Sequence, residues 1–483
     1  MTINTRRALM MAALFAPVFA LGAQAKPTKQ APAPATPSAP KEQPPTAAPA
    51  KDFRVPAHRT FALANGMKVT FIPFGIVPKV TMDLRLRTGV IDEGPNDVTL
   101  ASVVGDMLLE GTTTRSALDI SRQAAEMGGS INSTWGSEMS NVGGEVLSDF
   151  ASKFVGLMAD VVLHPRFDSA DFKRVIDKHA RDNAIALSQA DNLVMKKFRE
   201  VMYGDHPFAH IYPTEEQLRG FTVARGRAFH ANNYSAARAH LYVSGVFDEK
   251  AVEKAVRDGF SGWAAGAPPT ERPPTIAVGQ QVALVDRPHS VQSALIMGVP
   301  AATVSGPDWV KMNVTDGLLG GAFGSRITAN IREDKGYTYS PYSMLMARRG
   351  ATIWGEGADV TTNVTGASIT EIFKEIDRLR TEAPRVPELK GIEQNMAGLF
   401  TIQNSSRGGL IGQLGFMDLH GLDDSFLTSY VKNVMAVTPE DVKATAEKYL
   451  VPGKFSVVIV GDKAQVEPQL GKVKPIEGAK AKP

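Results

Sequence analysis

Apolar and polar residues alternate on both sides of Asn65-Gly66 between Thr60 and Pro73. Asn-Gly readily takes the positive φ angles of a tight turn, so this stretch predicts a β-hairpin. From Thr81 to Arg87 the alternation is strict, with Met82, Leu84 and Leu86 set against Asp83, Arg85 and Arg87. That predicts a strand with one face on a core and the other in water. The period then lengthens to that of a helix over Leu100–Leu109, Ala117–Met127, Phe150–Leu163 and Ala170–Leu187. A short β-branched run, Leu241–Val246, closes this half of the chain.

The second half repeats the plan. A strand at Ala294–Gly298 precedes a helix near Trp309–Leu319, an amphipathic helix follows at Ile369–Leu379, and a strand at Phe455–Val460 ends the series. Tyr234 and Gly245 have counterparts in Tyr449 and Gly461, at offsets of 215 and 216 residues. The common order of elements predicts an α+β protein of two homologous domains, each an antiparallel-rich sheet packed with helices.

Composition marks the ends of these halves. Lys26–Lys51 is a Pro/Ala tract with too few large apolar groups to pack, and Ala264–Thr275 (AAGAPPTERPPT) is a second Pro-rich break. Ahead of the first tract, Arg6 and Arg7 precede an apolar run from Ala8 to Leu21 and a small-residue site, Ala23-Gln24-Ala25, the layout of an export signal. The run is short for a membrane span; a retained N-terminal anchor is the alternative. Two arginines alone do not separate general from twin-arginine export. The expected organisation is a signal peptide over 1–25, a disordered spacer over 26–55, an N-terminal domain over 56–263, a linker over 264–281, a C-terminal domain over 282–466 and a disordered tail over 467–483. The linker leaves room for hinge motion between the domains.

The chain is 43% apolar and 21% charged, as ordinary globular proteins are. Loss of residues 1–25 would remove two Arg and no acid, leaving 51 basic against 50 acidic residues. Such a balance gives no global electrostatic reason to bind nucleic acid or an anionic membrane. There is no cysteine, so disulfides, thiolate metal sites and a lipoprotein anchor are excluded. A soluble periplasmic protein is the expectation.

Gly324–Ser340, GSRITANIREDKGYTYS, holds Arg332 and Tyr339 seven residues apart, preceded by Leu318-Leu319-Gly320-Gly321. Ser325–Asp334 reads as a helix with Ile327 and Ile331 on one face and Gly336 as its left-handed stop, with an extended segment from Tyr337 on. This stretch resembles the non-catalytic half of the pitrilysin-like zinc peptidases, the family of insulin-degrading enzyme and mitochondrial processing peptidase. Arg87–Glu93 (RTGVIDE), Met107–Thr112 (MLLEGT), Gly128-Gly129 with Asn132 and Thr134, and Pro165-Arg166-Phe167 are similar to further family segments. The resemblance covers about Arg59 to Asp462 and implies half of a clamshell chamber. Tyr337 stands where the family has Leu, and Arg326 reads as structural.

The resemblance also implies a zinc motif, HxxEH, that this chain lacks. Its first ligand, general base and second ligand fall on Ser102, Gly105 and Asp106, and Asn183–Ala190 offers no carboxylate for the further ligand. Asp106 is expected to be an exposed helical acid. His206 and His210 have i, i+4 spacing, but Pro207 between them and Gly204 and Pro213 around them predict a loop, so no metal is assigned to this chain. In the family the Arg/Tyr pair reaches the zinc site of the other half across a large enclosed chamber; a guanidinium can hold a peptide carbonyl or carboxylate, and a phenol can donate to a developing oxyanion. The implied role is a substrate-binding subunit, with Arg332 and Tyr339 as site residues and no catalysis of its own. Its partner would be an HxxEH-bearing chain holding Zn, and its substrates unfolded peptides. A peptide-binding or scaffold protein without proteolytic role is the alternative. A serine hydrolase is a third reading, against which stands the lack of a G-x-S-x-G elbow.

Overall fold

The computed structural model describes residues 53–269, 271–279 and 281–473. The expected export signal, nearly all of the spacer and the last ten residues lie outside them. The described residues belong to one compact unit.

The first half builds a six-stranded sheet from β1 (Arg59–Ala62), β2 (Lys68–Pro73), β3 (Lys79–Leu86), β4 (Ser130–Trp135), β5 (Ser140–Leu147) and β6 (Ala239–Gly245), in the order β1-β2-β6-β3-β5-β4. The expected hairpin is β1–β2, with Arg59 opposite Phe71 and Gly66 in the turn at φ 90°. The second half builds a five-stranded sheet from β7 (Gln281–Asp286), β8 (Gln292–Pro300), β9 (Tyr342–Arg348), β10 (Ala351–Thr361) and β11 (Ser456–Gly461), in the order β7-β11-β8-β10-β9. Apart from β1 the two sheets share one topology. In each, one parallel pair, β2/β6 or β7/β11, is followed by antiparallel neighbours out to an edge strand, β4 or β9. Gly245 and Gly461, paired by the sequence offset, end the equivalent strands β6 and β11.

In β3, Val80, Met82, Leu84 and Leu86 are buried, as the alternation requires. The opposite face is not in water, contrary to expectation. Asp83 and Arg85 form an ion pair of 2.8 Å with 18% and 13% of their side chains exposed. The cover comes from the second half: the helix Arg407–His420 packs on β6 and β3. A Cβ placed on its Gly415 would fall 1.7 Å from Arg85 Nη1, so any larger residue there would displace the guanidinium. Tyr242 and Ile72 of the first sheet share a buried cluster with Phe400, Leu410, Ile411, Leu414 and Met417.

The arrangement is reciprocal. The helix Ala190–Tyr203 of the first half lies across β11 and β8 of the second sheet. Its Val194, Phe198 and Met202, spaced along one face, enter a core with Ala294, Ile296, Ile353 and Val458. Each sheet is thus buried on one side by helices of its own half and on the other by a helix from the opposite half.

Candidate functional site

The helix Leu100–Met107 carries the three positions where the zinc motif would fall, and starts under strain. Its preceding residue, Thr99, has φ 80°, a left-handed conformation unfavourable for a β-branched residue. Glu93 holds this start in place, its carboxylate accepting the amides of Thr99 (3.0 Å) and Ala101 (2.9 Å). Burial pushes the Glu93 carboxyl up to about 8 against the opposing pull of those two N–H groups.

Ser102 is buried and turned back onto its own helix, its hydroxyl donating to the Thr99 carbonyl at 2.7 Å. Gly105 faces β4: a Cβ added there would stand 3.1 Å from Trp135 Cε3 and 3.6 Å from Ser133 Oγ. The indole of Trp135 thus crowds any side chain at this position. Asp106 corrects the expectation of an exposed acid. Only 19% of its side chain is exposed, and its Oδ2 lies 3.1 Å from His179 Nε2 and 3.5 Å from Lys178 Nζ. Lys178 also reaches Asp182 at 3.3 Å. One ammonium thus joins the two carboxylates, Asp106 from the motif helix and Asp182 from the helix Ser169–Leu187.

This donor set does not fit zinc. A serine hydroxyl, a glycine and one carboxylate already held by an ammonium and an imidazole replace two imidazoles and a base. Among the described residues no group of three or more His, Cys, Asp or Glu is placed to hold a metal ion. What remains is a cavity of about 390 Å³ at the end of β4, lined by residues including Ser102, Trp135, His179, Asp182, Asn183 and Tyr212.

Sequence reasoning located Ser102, Gly105 and Asp106 but missed Trp135, Lys178, His179 and Asp182. Its search for a further carboxylate began one residue past Asp182. The i, i+4 spacing of Lys178 and Asp182 on a strongly helical segment was the signal available. His206 and His210 flank a short 3₁₀ turn, Pro207–Ala209. His206 accepts the Phe208 amide and faces the Arg272 carbonyl, so its two ring nitrogens are spent on backbone.

The Arg/Tyr pair lies in the second half. The helix predicted over Ser325–Asp334 forms, with a π-helical turn over Thr328–Asp334 that widens the backbone around Arg332. Gly336 follows at φ 64° as the expected stop. Ile327 and Ile331 are fully buried and anchor the segment. Tyr339 precedes β9 rather than standing in it, because the chain bends there after Thr338 bridges to Val360. The structure brings the pair together: the Arg332 guanidinium lies 5.0 Å from the Tyr339 ring centroid and 4.5 Å from that of Phe323. Both rings are turned outward, Phe323 77% and Tyr339 80% exposed. The cation is therefore held between two aromatic faces, a contact of about 0.5–1 kcal/mol at such a site. Phe323 was not foreseen from sequence. Arg326 makes a bidentate pair with Glu388 at 2.7 and 3.1 Å, the structural role expected of it.

Comparison with known proteins agrees with this geometry. Residues 220–395 match the family "Peptidase M16 inactive domain", and residues 76–212 match "Insulinase (Peptidase family M16)". An uncharacterized zinc protease of Mycobacterium bovis is 25% identical over 441 residues, covering 86% of this chain and 96% of that protein. One of Streptomyces coelicolor is 23% identical over 402 residues, covering 81% and 87%. Among solved structures, the peptidase M16 inactive domain from Pseudomonas fluorescens superposes with a TM-score of 0.78 at 22% identity, covering 84% of this chain and 98% of that one. A protease from Helicobacter pylori gives the same TM-score at 16% identity, covering 84% and 100%. With both halves matched by models of one family and the same fold in the solved peptidase M16 inactive domain from Pseudomonas fluorescens, the chain belongs to peptidase family M16.

Proposed function

We propose that this chain is the non-catalytic, substrate-binding subunit of a periplasmic heterodimeric zinc peptidase. One contrast carries the reading: the motif positions are filled or spent, while an exposed Tyr339 is held against a partly buried Arg332, which also pairs with Glu333 at 3.2 Å. A zinc-bearing partner of the same family supplies the metal and the general base. This chain supplies half of the enclosing chamber and presents its guanidinium and phenol to the substrate bound there. A pair that served only packing would be buried; Tyr339 is 80% exposed.

The substrate is an unfolded peptide. Among the described residues β4 is an edge strand whose outer side has no strand partner, and it leads into the cavity at Trp135. An extended peptide can add to such an edge through main-chain hydrogen bonds alone, which suits a binder of varied sequences. Among the described residues no helix is long and apolar enough to cross a membrane.

The test is cleavage of an unstructured peptide library by the mature chain alone and mixed with an HxxEH-bearing relative from the same organism. Silence alone, with chelator-sensitive activity in the mixture above that of the relative by itself, is the expected result. Cleavage by this chain alone overturns the reading. No gain in the mixture moves the assignment to a peptide-binding or scaffold protein.

A further inference from the structure

Phe323 is a large ring that packing does not account for. It is 77% exposed and belongs to none of the hydrophobic clusters of the described residues. Its backbone is nonetheless fixed. The Ala322 amide donates to the Gly317 carbonyl at 3.1 Å and the Ser325 amide to the Ala322 carbonyl at 2.9 Å, which makes Phe323 and Gly324 the corner of a tight turn. This turn follows the π-helical stretch Gly317–Gly321 and sets the ring against the guanidinium of Arg332.

The two arginines of this segment are held in opposite ways. Arg326 spends its Nε and one Nη group on the two oxygens of Glu388. Arg332 lies between rings, 4.5 Å from the centroid of Phe323 and 5.0 Å from that of Tyr339. Its Nε is 3.2 Å from Glu333 Oε1, a weak pair because the Glu333 side chain is 61% exposed. Among the described residues neither Nη group of Arg332 makes a hydrogen bond. A carboxylate partner consumes the N–H donors of a guanidinium, whereas a ring meets its face and leaves the donors along its edge free. Aromatic contacts therefore fix the orientation of Arg332 and still keep it ready for another acceptor.

Tyr339 carries a phenol that can itself donate to a substrate. Phe323 has no polar atom, so any effect it has on a peptide carbonyl must pass through Arg332. We propose that Phe323 is a positioning residue: it holds the Arg332 guanidinium against Tyr339 and leaves both Nη groups for the oxygen acceptors of a bound peptide. The inference rests on the peptide-binding reading above.

Two measurements on the purified mature chain test it. In the first, NMR of the chain with isotope-labelled arginine follows the side-chain resonances of Arg332, assigned by their loss in Arg332→Met. Ring currents from the two flanking aromatics should shift them upfield. Phe323→Leu should remove much of that shift and Phe323→Trp should keep it. Resonances that do not move in Phe323→Leu overturn the contact.

In the second, binding of a fluorescein-labelled unstructured peptide is read by fluorescence anisotropy. Phe323→Leu should weaken it about two- to fivefold, the size of an exposed cation–π contact, with the melting temperature unchanged. Phe323→Trp should restore affinity, which a ring that served only as apolar bulk would not require. In an Arg332→Met background Phe323→Leu should have no further effect. Full affinity in Phe323→Leu overturns the positioning role and leaves the peptide reading standing. A loss that persists in the Arg332→Met background shows the ring touching the peptide directly, which also overturns it. A parent chain that binds no peptide overturns the function proposed above, and this role falls with it.

Discussion

At the scale of single residues, the positions where the zinc motif would fall are taken up by other contacts. Gly105 is the sharpest case, since its missing side chain is what lets Trp135 lie against the helix. Gly105→Glu should therefore destabilise the protein by about 1–3 kcal/mol through overpacking. Adding Trp135→Ala should recover part of that loss, so the two changes couple in a double-mutant cycle read by thermal or urea denaturation. Additive effects would mean the indole does not crowd this position. Glu93 offers a prediction of a different kind. Its carboxyl is raised by burial from 4.5 to about 8, so the folded state holds its proton more tightly than the unfolded state does. The stability this contributes is fully present below the unfolded value, declines above it, and is lost as pH rises through 8. Glu93→Gln cannot ionise, so its melting temperature should fall less between about pH 5 and 8 than that of the parent. Parallel curves would sink the assignment. From the sequence, the resemblance placed the motif positions on Ser102, Gly105 and Asp106. It could not reveal that Trp135 crowds Gly105 and Lys178 pairs with Asp106, because those residues come from other elements.

At the scale of elements, the same division holds. The hairpin at Asn65-Gly66, the alternation of β3 and the helix before Gly336 were legible because each is fixed by local backbone preference and one buried face. The polar face of β3 was misread, since Asp83 and Arg85 are covered by a helix more than three hundred residues away. Ala190–Tyr203 was not predicted as a helix, and even a correct reading would not have shown that its Phe198 belongs to the opposite sheet. The docking of Arg407–His420 makes two testable demands. Gly415→Ala puts a methyl where Arg85 lies, forcing the guanidinium off Asp83, and should cost about 1–3 kcal/mol in a melting experiment. The helix start is held by Arg407, which bonds Glu145 at 2.7 Å. Hydrogen bonds from Arg407 and then Lys79 hold the Glu145 carboxyl down at about 2. This stability is present above the ordinary carboxylate value of 4.5 and is lost as pH falls toward 2. Arg407→Met should cost about 0.5–1 kcal/mol near neutrality, modest because Glu145 is partly exposed, and the difference should shrink on acidification.

At the scale of the whole molecule, the exchange of helices decides how the protein can move. The Pro-rich break at Ala264–Thr275 left room for a hinge, and residues 264–269 and 271–279 indeed form no helix or strand. Yet Phe198, Met202 and Tyr203 of the first half are buried in the second sheet, and Phe400, Leu410 and Leu414 of the second half against the first. Opening a hinge would pull both sets into water, at about 1.5–3 kcal/mol for each large apolar side chain exposed. The two halves should therefore behave as one body, and on the function proposed above any opening of a chamber would occur between this chain and a partner. A protease site inserted near Gly266 tests this directly. After cleavage the two fragments should elute together from a sizing column and unfold in one calorimetric transition near that of the uncut chain. Fragments that separate under native conditions, or a second transition in the uncut protein, would show that the halves are independent and return the hinge to this chain.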